Sequence, residues 1–223
     1  ATDILVIDDG SIDGTARILR SASGVATITH PENRGYGQSV IDAIRYADGC
    51  GYDWVVTMDC DEQHEPERIP DFLAAAARDD ADVVSGSRYL VSFPGDDEPP
   101  AERLRINQSV NTLLDQVLGL RLTDSFCGFK AHRVAAMRQL RLDEPGYAFP
   151  LQFWVECMRA ELRVCELPVR RIYRDRNRQF GGTLDDPASR MEHYLDVFVQ
   201  ALQRPEDSTT RVECNTCTTC RRG

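Results

Sequence analysis

Short apolar runs that end in acids set the rhythm of this chain. Ile4 to Ile7 is followed by Asp8 and Asp9, and the run through Trp54, Val55, Val56 and Met58 by Asp59 and Asp61. Runs of this length, rich in β-branched residues, predict strands buried on both faces, as in a parallel sheet. Val25 to Thr29 and residues 82 to 86 read as two more. Between them apolar residues recur at helical spacing, as in Ala16 and Leu19, then Val40, Ile41, Ile44 and Ala47, then the segment from about Pro66 to Arg78. Strand alternating with helix predicts an α/β domain, a mostly parallel sheet with helices on both faces. Its reactive residues are expected at the C-terminal ends of the strands.

The second half is less regular. A Pro- and acid-rich loop, Phe93 to Pro100, leads into a helix with Ile106, Val110, Leu113, Leu114 and Val117 on one face. Arg103, Asn107 and Asn111 recur every fourth position on another face, where one ligand could touch all three or solvent could cover them. Helices are predicted near 132–139 and 149–160, a strand from about Arg163 to Ile172, and a last helix near 187–201. Residues 1–203 read as one domain. Residues 204–223 form a polar tail, expected to be disordered, in which Cys214, Cys217 and Cys220 could hold zinc or an iron-sulfur centre if a fourth ligand came from elsewhere.

Charge narrows the partners. A formal net charge of -10 over 223 residues argues against a general nucleic-acid binder. No apolar run approaches the length needed to cross a bilayer, so any membrane contact is expected at its surface. The N-terminal ATDILVID has no basic flank or cleavage-like segment, and Cys50, Cys60, Cys127, Cys157 and Cys165 are scattered. Together these predict a cytoplasmic protein with reduced thiols.

Two carboxylates one residue apart, Asp59 and Asp61, can present oxygens to one hard cation such as Mg²⁺ or Mn²⁺, with Gln63 adding a neutral oxygen. The same residues could be a solvated acidic turn before a helix that starts at Pro66. A basic run, Arg170, Arg171, Arg174, Arg176 and Arg178, favours the first alternative. Cations facing an acidic metal site suit an anionic ligand bridged by metal.

Taken in order, VIDDGSIDGT, NRGYG, MDCDEQHEP, GSRY, the Arg103/Asn107/Asn111 helix and TDSFCGFKAHR resemble family 2 glycosyltransferases of the GT-A fold. The match is to the branch around dolichol-phosphate mannose synthase and polyprenyl-phosphate glycosyltransferases, and extends to about Gln203. The resemblance implies a metal-dependent, inverting transfer of a sugar from a nucleotide-sugar donor to a polyprenyl phosphate or related glycoconjugate. It places Asp8, Asp9, Asp59, Arg176 and Arg178 at the nucleotide-sugar, and Asp59, Asp61 and Gln63 at Mg²⁺ or Mn²⁺. Arg88, Arg103 and Asn107 fall at the acceptor, and Asp61 and Arg88 in the catalytic set. If the acceptor were a hydroxyl a carboxylate would have to take its proton, and Asp124 and Glu156 are the candidates. The family's earlier strand, ending in a P-x-Y-N-E-like segment, has no counterpart here, so the sheet is expected to lack it. Two rival readings are a sugar nucleotidyltransferase, whose Gly-rich loop with Arg and Lys is missing, and a domain that binds a nucleotide or protein without activity.

Overall fold

Successive residues of the central strands enter different cores. The computed structural model describes residues 3–174 and 180–205. β3 (Trp54–Thr57), β4 (Val83–Ser87), β5 (Lys130–Arg133) and β6 (Val164–Pro168) form a sheet of order β3-β5-β4-β6. Val55, Val83 and Val164 face a large cluster, and Trp54, Val56, Val84, Cys165 and Leu167 face a smaller one. The period of two thus converts nearly continuous apolar runs into a sheet buried on both sides.

Helices supply the two cores. The large cluster takes residues of α2 (Tyr36–Gly49), α4 (Ala101–Leu118), α5 (Val134–Met137), α6 (Phe149–Arg159) and α7 (Pro187–Gln203), and α3 (Ile69–Ala77) packs Phe72 and Ala75 into the smaller one. Trp154 and Phe72 are fully enclosed. The side chain of Asp186 caps α7 by accepting from the Ser189 amide at 2.8 Å.

The strand pairing departs from the expected repeat in two ways. β1 (Ile4–Asp8) and β2 (Val25–Thr29) pair in parallel as a separate two-stranded sheet, with α1 (Thr15–Ser21) between them in sequence. Among the described residues β1 and β3 each have one hydrogen-bonded neighbour, while α2 packs against both. In addition, residues 130–133 form a strand where a helix near 132–139 was predicted, and α5 is only its short sequel. β5 runs antiparallel to both β3 and β4, so three of the four strands of this sheet share one direction. Pairing on both edges satisfies the backbone of the KAHR segment, which outweighs its helical composition.

The cysteine expectation needs correction at Cys50, which is disulfide-bonded. It lies half-buried just beyond α2, where a thiol is accessible to a partner, rather than in the core. Cys60, Cys127, Cys157 and Cys165 are free, and Cys60 is exposed. Arg176, Arg178, Cys214, Cys217 and Cys220 lie outside the described residues. No helix among the described residues is long and apolar enough to cross a membrane.

Candidate active site

The acidic turn after β3 is folded so that its side chains converge. Glu62 adopts φ 61°, the left-handed region that costs a non-glycine residue about 1 kcal/mol or more. That reversal brings Gln63 back onto Asp61, with its amide N–H 3.1 Å from Asp61 Oδ1 and its Nε2 3.1 Å from Oδ2. Asp59 is fixed from behind, because its backbone N–H donates to His64 Nδ1 at 3.0 Å. His64 stacks on Phe129, and burial pushes its pKa down. A neutral imidazole that accepts at Nδ1 carries its proton on Nε2. Gly128 lies so close that a Cβ there would stand 2.7 Å from Asp59 Oδ2.

These groups line a cavity of about 150 Å³. Asp59, Asp61, Gln63 and His64 line it from the β3 turn, Arg88 and Tyr89 from the end of β4, and Arg103, Ile106 and Asn107 from α4. Tyr36, Tyr147, Pro150, Phe126, Phe180 and Tyr194 supply an apolar and aromatic wall, and Arg190 of α7 completes it. The sequence had pointed to residues of the β3 turn, of the end of β4 and of α4. Arg190 and the aromatic wall were not among the expected residues.

Two of the expected ligand-binding side chains are already engaged within the protein. Arg88 donates from Nε and Nη2 to Asp124 at 2.6 and 2.9 Å, and its own amide donates to the same carboxylate at 3.1 Å. Asp124 is fully enclosed, and although burial alone would raise its pKa, the Arg88 guanidinium holds it below the usual carboxylate range. Asn107 donates to Thr123 O and accepts from the amide and hydroxyl of Ser125, and Asn111 repeats the first two contacts. The helix face read from the sequence therefore grips the 123–125 turn.

Three further expected residues stand away from the cavity wall. Glu156 accepts from the Arg141 amide at 3.1 Å and pairs with Arg159, anchoring the loop before α6. Asp9 accepts from His30 Nδ1 and from the amides of Arg34 and Gly35, so it organises the NRGYG loop. Its pKa is lowered; burial works against this, but the His30 contact and the two amides prevail. Asp8 accepts from the Ser11 amide through Oδ1, whereas its enclosed Oδ2 has no hydrogen-bond partner. In the basic run, Arg170 and Arg171 pair with Asp96 and donate to Pro94 O and Arg88 O, tying the 93–97 loop to the segment after β6.

Among the described residues no three His, Cys, Asp or Glu side chains converge as a self-sufficient metal cage. Asp59, Asp61 and the Gln63 carbonyl, its Nε2 being spent on Asp61, match instead a hard cation whose remaining positions are completed by water and substrate oxygens.

An α/β sheet with paired carboxylates just beyond one strand, in a cavity that arginines also line, has the form of a site for phosphorylated ligands. The chain belongs to glycosyl transferase family 2, whose model matches residues 1–141, and it is a glycosyltransferase. It is 32% identical over 183 residues to the undecaprenyl-phosphate mannosyltransferase of Micrococcus luteus, covering 78% of this chain and 73% of that protein. It is 30% identical over 176 residues to the polyprenol monophosphomannose synthase of Mycolicibacterium smegmatis, covering 74% and 65%. In structure it is similar to glucosyl-3-phosphoglycerate synthase from Mycobacterium tuberculosis in complex with Mn²⁺, UDP and phosphoglyceric acid. That likeness has a TM-score of 0.64 at 18% identity, covers 93% of this chain and 70% of the other, and supports the GT-A fold alone.

Proposed function

We propose that the chain transfers a sugar, with inversion, from a nucleotide-sugar to the phosphate of a polyprenyl phosphate. The observation that carries this is the cavity itself, which Asp59, Asp61 and Gln63, the arginines Arg88, Arg103 and Arg190, and a set of aromatic side chains all line. A Mg²⁺ or Mn²⁺ ion held by Asp59, Asp61 and Gln63 would neutralise the leaving nucleoside diphosphate. The unpartnered Oδ2 of Asp8 supports a place for an N–H of the nucleotide base beyond β1. Arg176 and Arg178 belong to the same donor side by family resemblance.

The chain's own residues suit an acceptor that is already anionic. Asp124 is ionised, enclosed and saturated with donors, and Glu156 is engaged outside the cavity, so neither stands ready as a general base. A phosphate acceptor needs none. The apolar side of the wall, Ile106, Phe126, Pro150 and Tyr194, suits the first isoprenoid unit, and names of the two relatives above point to the same acceptor class.

Calorimetric titration with UDP, GDP and CDP, with and without Mn²⁺, tests the donor side. One nucleotide is expected to bind only with the metal, and Asp61→Ala to abolish that binding. Metal-independent binding, or binding that survives in Asp61→Ala, would overturn the assignment of the acidic turn.

A further inference from the structure

Arg190 is a buried cation on the wall of the cavity. Its side chain is 3% exposed, yet it stands in the first turn of α7, where the helix dipole disfavours a cation. It also shares an aromatic ring with a second guanidinium, since Arg190 lies 4.3 Å and Arg103 5.3 Å from the centroid of Phe180. The compensation is partial. Arg190 Nη1 donates to Leu184 O at 2.8 Å and the guanidinium pairs with Glu102, a half-exposed residue beside Arg103. Burial lowers the Arg190 pKa, a measure of the same cost. Two cations brought to one cavity wall against desolvation and mutual repulsion mark an anion site.

We propose that Arg190 and Arg103 together bind the phosphate monoester of the acceptor in the cavity that Asp59 and Asp61 also line. The inference rests on the transferase reading above and adds to it a residue of α7.

The test uses Arg190→Gln and Arg190→Lys in the whole chain, with farnesyl phosphate, farnesol and glycerol 3-phosphate as probes. In Arg190→Gln the KM for farnesyl phosphate is expected to rise at least tenfold, while metal-dependent nucleotide affinity stays within twofold. Arg190→Lys, which keeps the charge but loses the planar fork, is expected to fall between. Glycerol 3-phosphate competing with farnesyl phosphate in the wild type, and less well in Arg190→Gln, would assign the effect to the phosphate rather than the isoprenoid, and farnesol is expected not to compete. An unchanged acceptor KM in either folded variant overturns the inference and leaves the donor reading intact. If Arg190→Gln does not fold, the KM in Arg190→Lys decides. Failure of the wild type to bind any nucleotide diphosphate overturns the parent reading instead.

Discussion

Gly128 is where a single methyl group should separate metal binding from folding. A Cβ built there meets Asp59 Oδ2 at 2.7 Å, Asp59 Oδ1 at 2.9 Å and the Tyr36 hydroxyl at 3.0 Å, whereas ordinary contact begins at 3.4 Å. Gly128→Ala therefore requires a displacement of about 0.7 Å, the difference between the ordinary limit and the closest contact. The carboxylate has little room to yield, because the Asp59 amide is held by His64. Ligand positions in a metal site hold to within about 0.2 Å, and disturbing the residues that position a ligand typically lowers metal affinity about 10- to 100-fold. The backbone itself should accept alanine, since Gly128 is not among the glycines with positive φ. Titration of Mn²⁺ in the presence of the bound nucleotide is expected to show that loss with the melting temperature little changed. Gly14→Ala, whose Cβ would meet nothing closer than Arg17 Nη2 at 3.6 Å, serves as the control. Wild-type Mn²⁺ affinity in a folded Gly128→Ala protein would mean that the Asp59 carboxylate is not a ligand in the position described.

Asp124→Ala strands the Arg88 guanidinium and is expected to cost about 3–5 kcal/mol in urea denaturation, with Arg88→Met on the same background recovering part of it. Equal stability of the single and double variants would show that the pair contributes little. Glu156→Ala should lower stability by about 1–3 kcal/mol through the lost acceptor for the Arg141 amide, with kcat within twofold of wild type; a collapse of kcat in a folded protein would restore Glu156 as a catalytic group. His132 is enclosed, and burial pushes its pKa down from 6.5 to about 3, with Lys130 adding to the effect. Its unfolded form binds a proton that the folded form refuses, so its contribution is complete above pH 6.5 and is lost as pH falls, at about 1.4 kcal/mol per unit down to about pH 3. Replacement by Asn should flatten the pH dependence of stability across that window, and an unchanged slope would rule His132 out as its source.

Much of the fold was legible because sheet and helix periods are local properties. Strands β1 to β4, helix α2 and the apolar stripe of α4 all lie close to where the residue pattern places them. β5 was not legible, because Lys130 and His132 are buried in it and its neighbours Ala131, Val134, Ala135 and Ala136 suit a helix. Only pairing with β3 on one edge and β4 on the other, both remote in sequence, makes it a strand. The acidic turn was legible, but the fate of Asn107 and Arg88 was not. Spacing reports that residues share a face and says nothing of whether a turn or a ligand occupies it. Arg190 had left a signal. It falls in register with Tyr194, Val197, Phe198 and Ala201, the buried stripe of α7, where an arginine is out of place unless it faces a cavity.

The buried charges explain why the active site can be built from so polar a stretch of core. Lys130 is buried, its side-chain nitrogen donating to Cys127 O and lying 5.3 Å from the centre of the Trp154 ring. Burial lowers its pKa, opposed by the nearby charges of Asp124 and Asp59. Arg88 is half-buried beside Asp124, and the cost of desolvation to its charge is outweighed by that carboxylate. Basic side chains thus stand near Asp59 and Asp124 before any ligand arrives. A divalent ion entering at Asp59 and Asp61 would add charge to a region already partly neutralised, which favours holding it jointly with a diphosphate over holding it alone. Arg190 likewise pairs with the half-exposed Glu102 and shares the Phe180 ring with Arg103.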